Sequence, residues 1–111
     1  MIRVDDNYGH NVYRIENNRI CDNYGHLLYT YDNSYVRDKY GHTVFRINND
    51  RIDDSYGHNL LRTNGNRVED KYGHKKYTYS NGRIEDTYGH LLYRVEGSID
   101  NNAIKALLAI I

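Results

Sequence analysis

The tripeptide Tyr-Gly-His occurs six times in this chain, and successive copies are always 16 residues apart. The copies begin at Tyr8, Tyr24, Tyr40, Tyr56, Tyr72 and Tyr88. A fixed period without insertions is typical of repeat proteins, in which each unit buries its apolar face only against its neighbours. Every histidine of the chain lies in this motif, so no histidine stands apart as a catalytic singleton.

Each motif is framed by turn chemistry. An Asp stands two residues before the Tyr, and Asp and Gly occupy the first and fourth positions of a type I turn that ends in a G1 bulge. In the sixth repeat this predicts strands over Arg83–Asp86 and His90–Glu96. The three-residue loop between them makes Asp86 and His90 cross-strand neighbours, and the same pairing is expected in every repeat.

A second turn signal separates the repeats. The pairs are Asn17-Asn18, Asn33-Ser34, Asn49-Asp50, Gly65-Asn66, Asn81-Gly82 and Gly97-Ser98. Asn and Gly tolerate the positive φ of tight hairpin turns. Each repeat is therefore predicted to contain two short strands and two tight turns.

The candidate core lies in columns of apolar residues. The first strand contributes Val4, Ile20, Val36, Ile52, Val68 and Ile84. One face of the second strand carries Val12 and its equivalents, and the other carries Tyr13 and Ile15 with theirs. We expect one face to point inward and the Tyr13 face to pack against the next hairpin.

The periodicity stops after Ser98. Asp100 or Asn101 can cap a helix whose remaining residues, Ala103–Ile111, are almost all apolar. Such a helix must be buried in protein. It can plug the opening of a closed ring of hairpins or cap the end of a stacked array.

The predicted fold is all-β with one short C-terminal helix. Residues 1–98 form six hairpin repeats closed around an axis, and residues 99–111 form the helix of the same domain. The alternative is a stacked β-solenoid. One specialised end favours the closed ring, because open arrays usually carry caps.

With its pattern of Arg-Ile, Asp, Tyr-Gly-His and a later Tyr-Arg-Ile or Tyr-Arg-Val, the chain resembles the bacterial five-fold beta-flower proteins over Arg3–Ile111. The resemblance implies hairpins arranged as petals about an axis, in a family without an established biochemical activity. This chain departs from the family in having six motifs and in having His after Gly. A weaker similarity links Tyr29–Asp32 and Tyr77–Arg83 to the YD repeats of wall-associated and Rhs proteins.

Composition narrows the function classes. The 15 Lys and Arg balance 15 Asp and Glu, which gives no cationic face for nucleic acid. The single cysteine, Cys21, excludes an internal disulfide. The apolar stretch Ala106–Ile111 is too short to span a bilayer. No signal peptide is visible; we expect export to the periplasm or cell surface if one was removed, and a cytoplasmic location otherwise.

Several functions are open for the motif. A structural interpretation makes it a turn in which Tyr covers a neighbouring hairpin and His pairs with Asp. A second interpretation is a multivalent, lectin-like module that binds glycans through Tyr faces and polar neighbours. A third is a ring of histidines that binds zinc, nickel or copper. An enzyme is not expected, because no nucleophile recurs in a catalytic arrangement, and no cofactor is predicted.

The candidate binding residues are the tyrosines and histidines of the motif. They are Tyr8, Tyr24, Tyr40, Tyr56, Tyr72, Tyr88, His10, His26, His42, His58, His74 and His90. The partner stays open among a glycan, another protein and a second copy of the chain.

Overall fold

Twelve short strands and one helix make up the computed structural model, which describes residues 1–111. The strands are β1 Ile2–Asp6, β2 Asn11–Glu16, β3 Arg19–Cys21, β4 Leu27–Tyr31, β5 Tyr35–Asp38, β6 Thr43–Asn48, β7 Arg51–Asp54, β8 Asn59–Asn64, β9 Arg67–Asp70, β10 Lys75–Ser80, β11 Arg83–Glu85 and β12 Leu91–Glu96. The helix, α1, spans Asn101–Ile110.

The sheet is a closed antiparallel barrel. Every strand pairs with its neighbours in the chain, and β1 also pairs with β12 through Arg3–Glu96 and Val4–Val95. Closure leaves no strand with an unpaired edge. The predicted all-β ring with a C-terminal helix is therefore confirmed, and the stacked solenoid is wrong.

Because consecutive strands run in opposite directions, alternate turns lie at opposite ends of the barrel. One end carries the six Tyr-Gly-His turns, and we call it the motif end. The other end carries the Asn- and Gly-rich turns and α1, and we call it the helix end. The molecule measures 36 × 33 × 19 Å along its principal axes.

The centre of the core is a ring of β-branched residues from the first strand of each repeat. Its members are Val4, Ile20, Val36, Ile52, Val68 and Ile84, all at most 2% exposed. Ile20 faces Tyr29 of its own repeat on one side and Ile15 of the preceding repeat on the other. The ring is thus flanked by a layer of aromatic and Leu side chains toward the motif end and by a second apolar layer toward the helix end.

The inward face of the second strand is the face that carries Tyr13 and Ile15. Ile15 is 1% exposed, and Tyr13 packs against the core. The expectation that the inward face is the one opposite Tyr13 is therefore wrong. Neighbouring repeats do meet there, because the rings of Tyr13 and Tyr93 lie 6.5 Å apart. A β-bulge sets this orientation: Val4 pairs with Tyr13 and Asp5 with Asn11, so Val12 is the extra residue.

Helix α1 places its apolar side in the core at the helix end. Ala103, Ala106, Leu107 and Leu108 are all buried. As predicted, Asp100 is the N-cap, and its Oδ1 accepts a hydrogen bond from the Ala103 amide at 2.7 Å. On the exposed side, the Lys105 amine donates to the Asn49 carbonyl at 2.6 Å. With ten residues, α1 is shorter than a membrane-spanning helix.

The turns at the helix end use two mechanisms. Positive φ occurs at Asn17, Asn18, Asn49, Gly65, Asn81 and Gly82, as predicted. The turn at Asn33-Ser34 has no such residue. There, the Asp32 carboxylate accepts hydrogen bonds from the amides of Ser34 and Tyr35, each at 2.8 Å.

Candidate functional site: the six Tyr-Gly-His turns

A carboxylate organises each turn of the motif end. In the fourth repeat, Asp54 Oδ1 accepts hydrogen bonds from the amides of Tyr56 and His58, both at 2.9 Å. The Asp54 amide donates to the His58 carbonyl at 2.8 Å, and the Gly57 amide donates to the Asp54 carbonyl at 3.1 Å. Gly57 has a φ of +89°, which L side chains rarely adopt. This is the predicted type I turn with a G1 bulge.

The same geometry recurs in all six repeats. Each Asp Oδ1 accepts the Tyr and His amides at 2.8–3.0 Å. In the sixth repeat, the two strand ends beside the turn differ from the prediction by one residue each. Strand β11 ends at Glu85, and β12 begins at Leu91. Turn chemistry therefore fixes the backbone of every motif in one conformation.

These hydrogen bonds lower the pKa of the motif carboxyls. For Asp54 the main cause is the His58 amide, which outweighs desolvation, and the Tyr56 amide and the His58 imidazole add to it. For Asp70 the largest influence is desolvation, which raises the pKa, but the amides of His74 and Tyr72 and the charges of His74 and Lys76 lower the pKa on balance. The motif carboxylates therefore stay ionised to lower pH than a free Asp side chain.

The second carboxylate oxygen faces the histidine. The distance from His58 Nδ1 to Asp54 Oδ2 is 3.2 Å, and the equivalent distances in the other repeats are 3.3–3.7 Å. The predicted Asp–His pairing thus occurs in each repeat. The contact is a hydrogen bond in the fourth repeat, where Oδ2 accepts, so a neutral His58 imidazole carries its proton on Nδ1 and presents Nε2 as an acceptor.

The motif tyrosines lie in solvent. Their exposed fractions range from 73% for Tyr40 and Tyr72 to 84% for Tyr56 and Tyr88. The expectation that these rings cover a neighbouring hairpin is therefore wrong. Each Tyr ring instead lies 6.2–6.4 Å from the His ring of its own motif, at a tilt of 40–44°. The histidine side chains are 77–79% exposed.

Two of the six tips differ from the others. The Lys39 amine lies 5.3 Å from the centroid of the Tyr40 ring, and Lys71 has the same relation to Tyr72. The residue between Asp and Tyr is Asn, Ser or Thr in the other four repeats. A cation over a Tyr face is attracted to the ring, so these two tips combine an aromatic surface with a positive charge.

A hollow of about 260 Å³ connects one of these tips to the aromatic layer of the core. It is lined by Tyr13, Leu28, Tyr29, Asp38, Lys39 and Tyr40. No sequence pattern predicts this hollow, because its lining comes from three repeats. The sequence shows that Leu28 and Tyr29 are both apolar, but it does not show the bulge at Leu28 that turns Tyr29 inward.

The fold brings each Asp to its own His but does not bring the six histidines together. No group of three or more His, Cys, Asp or Glu side chains lies close enough to hold a metal ion. A shared histidine centre is therefore not formed, and each tip presents one imidazole next to one phenol.

Comparisons with protein-family models, curated proteins and solved structures find no match for this chain.

Proposed function

We propose that the protein is a non-enzymatic, multivalent carbohydrate-binding module whose binding groups are the Tyr and His side chains of the motif end. One observation carries this proposal. These two side chains are identical in all six repeats although they are exposed, whereas buried positions of the same repeats vary.

The contrast matters because packing gives no reason to keep an exposed residue. The inward position of Tyr13 is Tyr, Phe or Leu in different repeats, and the position of Ile15 is Ile, Tyr, Thr or Val. Asp and Gly of the motif have backbone roles in the turn, but the phenol and the imidazole have none. Repeated large apolar groups in solvent are typical of interaction surfaces.

The chemistry of a tip suits a sugar ring. An exposed phenol offers an apolar face for stacking and a hydroxyl for hydrogen bonding. The adjacent imidazole, oriented by the carboxylate, offers Nε2 to a sugar hydroxyl. The hollow beside Tyr40 adds Lys39 as a donor and a second aromatic wall at Tyr29. Each tip is shallow, so a single contact is expected to be weak.

Six tips at the motif end of the barrel compensate for weak single contacts. When one branched or repetitive glycan engages several tips, the later contacts are intramolecular, and the overall affinity rises by roughly 10²–10⁴ over one site. The proposal therefore predicts preference for polyvalent glycans over monosaccharides.

A glycan array, read with and without a chelator, tests the proposal. The chain is compared with a variant in which all six motif tyrosines are replaced by Ala, and with a variant in which they are replaced by Phe. We expect glycan binding that survives chelation, is lost in the Ala variant and is partly retained in the Phe variant.

The control is Tyr35→Ala. Tyr35 is also exposed, at 39%, but lies outside the motif. Its replacement should leave glycan binding unchanged. Absence of binding to any glycan by the folded chain, or equal binding by the Ala variant, would overturn the proposal. Binding that requires added zinc or nickel would instead favour the metal hypothesis.

A further inference from the structure

The outer surface of the barrel carries ion pairs that repeat along the chain. The residue two positions after the first-strand Arg is acidic in four repeats. The pairs are Arg3–Asp5 at 2.8 Å, Arg51–Asp53 at 3.4 Å, Arg67–Glu69 at 2.7 Å and Arg83–Glu85 at 3.1 Å.

Three of these carboxylates also stand opposite an arginine of the preceding strand. The register pairs Asp5 with Arg94, Asp53 with Arg46 and Glu69 with Arg62. In these three places the chain puts a carboxylate between two arginine positions. Each carboxylate offsets part of the positive charge of the two arginines.

The second repeat has the two arginines but lacks the carboxylate. Cys21 occupies the acidic position, opposite Arg14 and two residues after Arg19. Arg19 forms no ion pair, and Arg14 Nε donates only to the side-chain oxygen of Asn11 at 3.0 Å. Arg19 therefore lacks the carboxylate partner that Arg3, Arg51, Arg67 and Arg83 have. Arg14, like its equivalent Arg62, donates to an Asn side chain and forms no ion pair, but it faces a thiol where Arg62 faces a carboxylate.

A hollow of about 410 Å³ lies at this position. It is lined by Met1, Arg14, Glu16, Asn17, Arg19, Cys21 and Gly25. The Glu16 carboxylate is the one acidic group in the lining, and it forms no ion pair with Arg19 although the two residues are in register. The hollow thus combines two guanidinium groups that form no ion pair with room for a small molecule.

We propose that this hollow binds a small oxyanion of the carboxylate or phosphate class, held between Arg14 and Arg19. Planar guanidinium groups match the oxygens of such anions and bind them with paired, charge-assisted hydrogen bonds. The anion takes the place that Asp5, Asp53 and Glu69 fill in the other repeats. The site does not involve the motif tyrosines or histidines, so it is independent of glycan binding.

Titration with inorganic phosphate, followed by amide NMR spectra of the full chain, tests the site. We expect saturable shifts centred on Arg14, Arg19 and Cys21. Cys21→Asp supplies the missing carboxylate from the chain itself and should abolish these shifts, whereas the neutral replacement Cys21→Ser should retain them. Arg19→Gln should abolish them. The control is Arg67→Gln, because Arg67 already pairs with Glu69.

The thiol gives a second readout at the site. Iodoacetate and iodoacetamide both alkylate cysteine: the sulfur forms a bond to the methylene carbon, iodide leaves, and the thiol proton goes to solvent. Only iodoacetate is an anion. The ratio of the iodoacetate rate to the iodoacetamide rate should be roughly fivefold higher in the folded chain than in the urea-unfolded chain. This is the effect expected of one nearby cation in water. Phosphate or Arg19→Gln should remove the preference.

Two results would overturn the proposal. One is a set of phosphate shifts that is absent, or that persists unchanged in Cys21→Asp. The other is an equal preference for iodoacetate in the folded and unfolded chains. Cys21→Ser keeps the size of the native residue. If both Cys21 variants show the native spectrum away from the site, misfolding does not explain a difference in phosphate shifts between them.

Discussion

The two ends of the barrel use the same 16-residue repeat in opposite ways. At the helix end, side chains such as Ile15 and Val95 are buried in the core, and the residue at this position varies among repeats. At the motif end, Tyr56 and His58 are exposed, and their identities do not vary. Buried positions tolerate exchange among apolar residues of suitable size. Invariance at exposed positions needs a different cause, and we attribute it to binding.

The backbone makes the same distinction. At the motif end, the carboxylate of each repeat completes a turn that stands on its own. At the helix end, turns also serve the next hairpin: the Val95 amide donates to the Gly82 carbonyl at 2.8 Å. Changes at the helix end are therefore expected to destabilise the whole barrel, and changes at the motif end to act locally.

The largest effect is expected from the helix. Leu107 is fully buried in the core, and Leu107→Ala should lower the free energy of unfolding by about 2–5 kcal/mol. Urea denaturation measures this. Lys105→Gln is the control on the exposed side of the same helix and should cost about 1 kcal/mol or less, the value of a single exposed hydrogen bond. Equal losses in the two variants would contradict a helix held by its apolar side.

A pair of glycines, one on each side of strand β11, compares the two ends directly. Gly89 at the motif end and Gly82 at the helix end both have positive φ, at 83° and 74°. Ala at either position costs about 1–2 kcal/mol for the backbone conformation. At Gly82 the new Cβ would also lie 2.7 Å from the Val95 carbonyl oxygen, whereas nothing lies within 4 Å at Gly89.

Gly82→Ala should therefore lower the melting temperature more than Gly89→Ala does. The two variants share the residue change and flank the same strand, so the difference isolates the contact of Gly82 with the Val95 carbonyl. If Gly89→Ala were the more damaging substitution, the motif turns would be holding the barrel together.

A smaller effect is expected from the charge of the motif carboxylates. Their pKa values are lowered by folding. The stabilisation is fully present above the unfolded pKa of about 3.9 and is lost as pH falls through the folded pKa. The chain should therefore lose stability below about pH 4.

Replacing all six motif Asp residues by Asn tests this pH dependence. The Asn side-chain oxygen still accepts the two turn amides but does not titrate. Between pH 7 and pH 3, the free energy of unfolding should fall less in the Asn variant than in the native chain. Asp32, whose pKa is lowered mainly by the Ser34 amide, keeps its own contribution in both. An identical fall in both chains would contradict a role for the motif carboxylates.

Much of this fold could be predicted because its turns follow local chemistry. Asp and Gly at fixed positions define the motif turn, and Asp100 defines the start of α1. The inward face of the second strand could not be predicted, since Val12 and Tyr13 are both apolar and the bulge at Val12 decides between them. The solvent position of Tyr56 was also not predictable, because a phenol suits both a packed and a wet environment.

Four statements stay predictions. They are the beta-flower resemblance, the absence of enzymatic activity, the compartment, and the division of one domain into residues 1–98 and 99–111. The binding role of the motif can be tested separately from its role in stability. A side chain that serves a ligand can be removed without loss of stability, whereas a side chain that serves the fold cannot.

The most direct measurement is the free energy of unfolding of Tyr56→Ala and His58→Ala beside that of Tyr31→Ala. Tyr31 is 6% exposed and belongs to the core, whereas Tyr56 is 84% exposed. Loss of the buried aromatic side chain should cost about 3–5 kcal/mol. Each motif substitution should change the free energy by about 0.5 kcal/mol or less, as for most surface positions. A loss of about 2 kcal/mol or more in either motif variant would show that the invariant side chains hold the fold, and would contradict the account.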